Sequence, residues 1–285
     1  MGGFIFPDFG TPLKNGTNAF IDYLVVTHGN AFETFSNGLL AMLVALEGLM
    51  RSAPPLIVLA VVAVIAFAAS RRLLLSLSVV GCLWLIGALG QWDQAMQTTA
   101  LIIVSVGFAI LIGLPLGILS ARSRIANRVI SPTLDLMQTI PSFVYLIPAA
   151  MLLGLGKVPA ILATVIYATP PLIRLTDLGL RQVDVPAVEA GRVFGTTEWQ
   201  SIRFIQLPLA LPSIMQGINQ TTMMALAMVV IASMIGARGV GETVLLGLQR
   251  NDSGQGLIGG LVIVLLAIIF DRISQSYGRR LQMWR

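Results

Sequence analysis

Residues 98–120 read TTALIIVSVGFAILIGLPLGILS, twenty-three positions without one charge. An α-helix rises about 1.5 Å per residue, so the run extends roughly 35 Å, and the hydrocarbon core of a bilayer is about 30 Å thick. Backbone groups inside lipid must be bonded within the chain, and alternating polarity is absent, which selects a helix over a barrel strand. The whole chain has the same character. Its 285 residues are 56% hydrophobic and 11% charged, against about 25% charged in an ordinary soluble domain. Mean hydropathy is +0.86. A soluble enzyme, a disulfide scaffold and a disordered chain are all excluded by this balance, and the single Cys82 permits no intrachain bridge.

Working outward, seven runs have the composition of spans: roughly 54–70, 73–90, 98–120, 136–155, 158–176, 212–235 and 257–275. Prolines 115, 141, 148, 170, 171 and 212 within or beside them predict kinks that neighbouring helices must absorb. The spacing Gly113-x3-Gly117 predicts a close helix approach, through ordinary packing. Residues 1–15, rich in Gly, Pro and Asn, read as an irregular tail without the basic stretch of a cleavable signal. Within 16–50, Phe32, Phe35, Leu39, Met42, Leu46 and Leu49 recur at steps of three and four with polar residues between. That pattern predicts an amphipathic helix lying on the membrane; the alternative is a first span beginning near Phe32. The resulting division is 1–53 external tail and interfacial helix, 54–91 two peripheral spans, 92–275 the main membrane domain, and 276–285 a basic tail.

With seven spans, alternate loops fall on opposite sides. Thirteen of the 18 basic residues, from Arg71 and Arg72 to Arg285, collect on one side; Lys14, Arg51, Lys157, Arg238 and Arg250 take the other. The Arg-rich side is then the cytoplasm, the amino terminus outside and the carboxyl terminus inside. The basic excess is thus topological, and nothing points to nucleic acid.

The longest break between spans lies on the Arg-rich side: residues 177–211, DLGLRQVDVPAVEAGRVFGTTEWQSIRFIQLPLAL. Asp184 or Val185 caps a helix carrying Pro186 in its first turn. Gly195 ends it, and Thr196-Thr197 caps another with Glu198 in its first turn. A helix, a glycine turn and a second helix make a knob suited to a groove on a soluble partner.

Glu189-Ala190-Gly191-x3-Gly195-x9-Ile205-x-Leu207-Pro208 resembles the EAA loop of ATP-binding-cassette importer permeases, with Gly191 in place of the second Ala. Met137 to Leu146, Pro170 to Thr176, Asn219-Gln220-Thr221 and Met228 to Ile235 are similar to the glycine betaine/proline/choline branch of that family. The resemblance covers roughly residues 90–275. It implies the all-α type I importer fold, with a coupling loop at 177–207. It further implies work as a homodimer with two cytoplasmic ATPase subunits, which hold the ATP and Mg, and an external substrate-binding protein. Glu189, Ala190, Gly191, Gly195, Ile205, Leu207 and Pro208 would then carry the ATPase coupling. The implied solute is a small quaternary ammonium osmolyte, in a bacterial inner membrane.

Other constellations carry less. Gly154-Leu155-Gly156-Lys157-Val158 lacks the spacing of a phosphate loop, and Gly239-Val240-Gly241 reads as a turn. His28 stands alone, so no metal site and no catalytic set is expected in this chain. Polar residues within spans face a bundle interior or a wet path. Gln138, Thr139, Ser142, Tyr145, Asn219 and Thr222 are the candidates for such a path, with interhelical hydrogen bonding the alternative use. Arg174 and Asp177, three apart on a helix, are expected to pair.

Overall fold

The computed structural model describes residues 9–282, with side-chain surroundings for 9–278. Twelve α-helices cover the described residues: α1 (Gly10–Ser52), α2 (Pro55–Ser70), α3 (Leu73–Ala88), α4 (Trp92–Arg122), α5 (Arg124–Thr139), α6 (Leu146–Leu153), α7 (Lys157–Arg181), α8 (Val185–Val193), α9 (Glu198–Ser201), α10 (Leu207–Ser233), α11 (Val240–Gln249) and α12 (Ser253–Gln282). A 3₁₀ turn, Ser142–Tyr145, precedes α6, and a π turn, Ile202–Gln206, joins α9 to α10.

Among the described residues, four helical stretches are long and apolar enough to cross a membrane: Trp92–Arg122, Lys157–Arg181, Glu198–Ser233 and Ser253–Gly278. The number rises to six if each of two bent pairs is one span. The expected single span over 136–155 is one of these breaks: Ile140 is extended ahead of Pro141, and the segments on either side meet at 107°. A residue before proline is pushed out of the α region, so Pro141 turns the chain where hydropathy alone reads a straight run. α2 and α3 have 16 residues each, about 24 Å of helix and short of a full hydrocarbon core.

The direction of each crossing follows from end-to-end contacts. α4 and α7 start together, because Glu47 and Arg51 at the end of α1 reach both. Lys157 Nζ lies 2.5 Å from Glu47 Oε2, and Arg51 Nε lies 2.5 Å from Asp93 Oδ1. They also finish together, where Arg181 Nη2 donates to Ser120 O at 2.8 Å. The chain between two parallel helices must return once, so α5 and α6 together make that return. α10 runs back: the Gly156 amide beside the start of α7 donates to Ile235 O, just past the end of α10, at 2.8 Å. α11 stays at that far end, with its Val240 amide on Thr98 Oγ1 at 2.9 Å and Thr243 Oγ1 on Gln91 Oε1 at 2.8 Å. α12 then descends to the Arg-rich end. Five crossings, α4, α5–α6, α7, α10 and α12, form the central bundle.

α7 is its most enclosed member, and glycines allow the approach. A Cβ at Gly117 would lie 2.5 Å from Thr176 Cβ and 3.0 Å from Ile173 O. Gly113 meets Leu172 and Thr169 in the same seam, so the predicted close approach is an α4–α7 contact within the chain. Leu172, Leu180, Ala210 and Ile214 fill the neighbouring α7–α10 layer.

The beginning of the chain departs from expectation. Residues 10–15, read as irregular, are the first turns of α1, which is continuous over 43 residues, about 65 Å. Residues 1–8 lie outside the described residues. Leu39 and Leu43 are buried in the cluster formed by Ala100, Leu101 and Val104 of α4 and Val158 and Ile161 of α7. Phe9, Leu13, Phe20, Tyr23 and Val26 are exposed. The last third of α1 is therefore built into the bundle while most side chains of the rest are exposed. α2 leaves α1 at 108°.

Candidate functional site

The segment between α7 and α10 is constructed from local signals. Asp184 occupies the N-cap position of α8, with Pro186 in the first turn. Its end is a paired closure: Thr196 N–H donates to Gly191 O at 3.1 Å and Gly195 N–H to Arg192 O at 2.9 Å. This satisfies two end carbonyls and requires the left-handed residue that Gly195 supplies, at φ +81°. Thr197 then opens α9 through a reciprocal capping box. Its hydroxyl accepts the Gln200 amide at 3.3 Å, and Gln200 Oε1 accepts the Thr197 amide at 2.8 Å. The first helix, the glycine turn and the Thr197 cap predicted from sequence are present, but the second helix is only Glu198–Ser201 and runs on through the π turn into α10 instead of standing apart from the span.

Within it the motif residues separate into seat and surface. Gly191 is buried, and a Cβ there would lie 2.2 Å from Ile205 Cδ1. The glycine that departs from the family pattern is filled by the isoleucine fourteen positions on. An alanine would oblige that isoleucine to change rotamer. Glu189, Ala190, Gly195 and Pro208 are exposed, and Ile205 and Leu207 half-buried. Around Glu189 and Ala190 the knob presents large apolar side chains to solvent: Val193 is 84% and Phe194 87% exposed, with Val185, Trp199 and Phe204 also outward. Arg203 stands 5.5 Å over the Phe204 ring. The knob is tied to the bundle through Arg122 Nη2, which donates to Glu198 O at 3.3 Å. Several large apolar side chains held out to solvent on one small segment, among charged ones, are the form of a docking surface.

The path candidates do not share one face. Gln138 and Thr139 end α5 in exposed positions, Thr139 bonded to Leu136 O at 2.9 Å. Ser142 is half-buried, and the Tyr145 hydroxyl donates back across the bend to Met137 O at 2.6 Å. Exposed apolar Phe143, Val144 and Ile147 surround these polar groups. On α10 the exposed stripe is Gln216, Gln220, Met223 and Ala227. Asn219 instead faces α12, donating to Asp271 Oδ1 at 2.9 Å, and Thr222 is buried on Ile218 O. Arg174 does not pair with Asp177. It reaches Asp135 on α5, while Asp177 takes Arg181 at 2.8 Å; an i,i+4 partner and a neighbouring helix outcompete the i,i+3 pair. Sequence reading missed the Glu47–Lys157 and Arg51–Asp93 bridges. The i,i+4 spacing of Glu47 and Arg51 is the only local trace of them.

Residues 113–283 match the family described as the binding-protein-dependent transport system inner membrane component. This chain belongs to that family. The permease is 40% identical over 265 residues to the glycine betaine transport system permease protein OpuAB of Bacillus subtilis (strain 168), covering 93% of this chain and 94% of that one. It is 55% identical over 194 residues to the glycine betaine/proline betaine transport system permease protein ProW of Escherichia coli (strain K12). That match takes in 68% of the permease but 55% of ProW, so the chain spans about half the length of that relative. Among solved structures it resembles a chain of the inward-facing MetNI methionine ABC transporter, with a TM-score of 0.56 and 27% identity over 66% of the permease and 93% of that chain. The all-helical, polytopic importer fold and the inner-membrane setting are thereby established.

Proposed function

We propose that this permease forms the membrane pathway of an ATP-driven importer for small quaternary ammonium osmolytes such as glycine betaine or choline. It works as a homodimer with two cytoplasmic ATPase subunits and an external substrate-binding protein. The reading rests most on the 40% identity to a glycine betaine permease along nearly the whole of both chains. The exposed apolar knob at α8 supports the energy source. ATP and Mg belong to the partner ATPase. Its closure moves the knob, and the knob levers α7 and α10 between inward- and outward-open arrangements. The coupling contact is assigned to Glu189, Ala190, Gly191, Gly195, Ile205, Leu207 and Pro208.

A quaternary ammonium group keeps its charge at every pH, and charged side chains along a membrane path are costly and few. Along the exposed surfaces of the α5–α6 bend and α10, brief stabilisation falls to hydroxyl and amide oxygens and aromatic faces, with high affinity supplied by the external protein. Gln138, Thr139, Ser142 and Tyr145 at the α5–α6 bend, and Gln216 and Gln220 on α10, are placed to provide it. Asn219 and Thr222 act from behind that surface, through α12 and through the α10 backbone.

The test is reconstitution in liposomes with the cognate ATPase and binding protein. Choline or glycine betaine should accumulate only with ATP on the cytoplasmic face, and a sodium or proton gradient without ATP should drive nothing. Accumulation driven by an ion gradient through this chain alone would overturn the energy assignment. ATP-dependent uptake of an amino acid, with betaine and choline excluded, would overturn the solute.

Orientation belongs to the same proposal: carboxyl terminus in the cytoplasm, amino terminus outside. A reporter fused after Arg285 should be active only if it works in the cytoplasm. A reporter before Gly10 should be active only if it works outside. Cytoplasmic activity of the second with the first unchanged would make α1 a span rather than a surface helix.

A further inference from the structure

Asp271 lies in α12 within the stretch Ser253–Gly278 that qualifies as a membrane crossing. It is eighteen residues past Ser253, about 27 Å along the helix, in the half of the bundle nearer the Arg-rich end. Among the described residues no Lys or Arg stands within ion-pair distance of it, whereas Asp93, Asp135 and Asp177 each have an arginine partner. Its partners are neutral. Asn219 Nδ2 and Gln275 Nε2 both donate to Oδ1, at 2.9 and 2.5 Å. No described donor reaches Oδ2. Neither helix end accounts for the charge, since Asp271 is well inside α12. Asp271 is half-buried, and a carboxylate within a membrane-crossing stretch without a counter-charge is costly; such residues mark ion or substrate paths.

The surroundings are arranged for a cation. By taking the N–H side of both amides, the carboxylate turns their oxygens away from itself. Asn219 Oδ1 accepts Ser274 Oγ at 2.5 Å. Asn219, Ser274 and Gln275, together with Gln216, line a cavity of about 300 Å³ between α10 and α12. Gln216 also belongs to the exposed stripe of α10, so the cavity opens beside the surface assigned above to the path. Its lining carries amide and hydroxyl groups with the Asp271 carboxylate behind them, and no cationic group stands among its described lining residues.

We propose that the α10–α12 cavity is a transient site for the methylated ammonium group of the solute on the cytoplasmic half of the path, with Asp271 as its counter-charge and positioning residue for the amides. The inference rests on the solute class proposed above. It deepens that reading by naming where the cation dwells before release. A cation without a carboxylate of its own, such as choline, fits better than a zwitterionic betaine, whose carboxylate is repelled by Asp271.

The measurement uses the assembled permease–ATPase complex without its binding protein, with tetramethylammonium and choline as probes in saturation-transfer NMR. The wild type should give a choline signal displaced by tetramethylammonium. Asp271→Asn keeps the hydrogen bonds to Asn219 and Gln275 but removes the charge; it should weaken the signal at least tenfold, and Asp271→Glu should retain it. Ser274→Phe should block the cavity with the charge intact and also lose the signal. In the full reconstituted system, Asp271→Asn should lower kcat with KM unchanged, because KM is set by the external binding protein. A wild type without a displaceable signal, or Asp271→Asn and Ser274→Phe both binding like the wild type, would overturn the site and leave Asp271 as a helix clamp. If the wild type fails to take up any methylated ammonium with ATP, it is the proposed function that falls.

Discussion

Replacing Gly195 with Val, or Phe194 with Asp, is expected to abolish ATP-driven uptake while the chain still accumulates in the membrane. Gly195 sits at φ +81°, and forcing an ordinary L residue into the left-handed region costs about 1–2 kcal/mol, more for a β-branched side chain. Relieving that strain breaks the two hydrogen bonds from Thr196 and Gly195 that close α8. The helix end then frays, and Val193 and Phe194 lose their fixed presentation. Phe194 is 87% exposed, so Phe194→Asp leaves the fold alone. It removes an apolar anchor whose burial in a partner cleft is worth roughly 2 kcal/mol, about a thirtyfold loss of docking. Glu189→Lys tests the electrostatic part of the same contact. Co-purification should report ATPase subunits lost from each variant, or retained but hydrolysing ATP without transport. Normal uptake with normal ATPase retention in all three would remove α8 from the coupling role.

Gly117→Leu is expected to eliminate the folded permease altogether. The Cβ position alone is 2.5 Å from Thr176 Cβ and 3.0 Å from a backbone oxygen of α7. The backbone cannot yield as a side-chain tip can. Overpacking typically costs about 1–3 kcal/mol for a methylene or so; a leucine in this seam exceeds that, because α4 and α7 would have to separate along their length. Gly117→Ala should fold with a melting temperature several degrees lower. Gly107, exposed on the same helix with nothing within 4 Å of its Cβ position, is the matched control: Gly107→Ala should melt at or slightly above the wild-type temperature. Size-exclusion profiles and thermal melts in detergent report both. A monodisperse, normally melting Gly117→Leu would show that the α4–α7 seam is looser than its geometry.

The class of the fold and the helix and glycine turn of the knob are legible in the sequence, because each is written in neighbouring residues. A charge-free run over 98–120 has one stable form in lipid. A glycine followed by Thr-Thr closes one helix and opens the next through bonds spanning three to five positions. The Gly191–Gly195–Ile205 spacing survives as the seat in which Ile205 fills the space over Gly191. Tertiary structure decided what depends on distant pairs. Glu47 meets Lys157 across 110 positions, and nothing local to either residue announces it. The break at Pro141 divides a run whose hydropathy is continuous, because a backbone restriction overrides an average over side chains. Asn219 lies in the span by its place in the sequence, but its rotation about α10, which turns it to Asp271 and the α10–α12 cavity rather than into the exposed Gln216–Gln220 stripe, is set by packing against α12. Asp271 shows the same limit: its neutral partners and the adjoining cavity exist only once α10 and α12 are side by side.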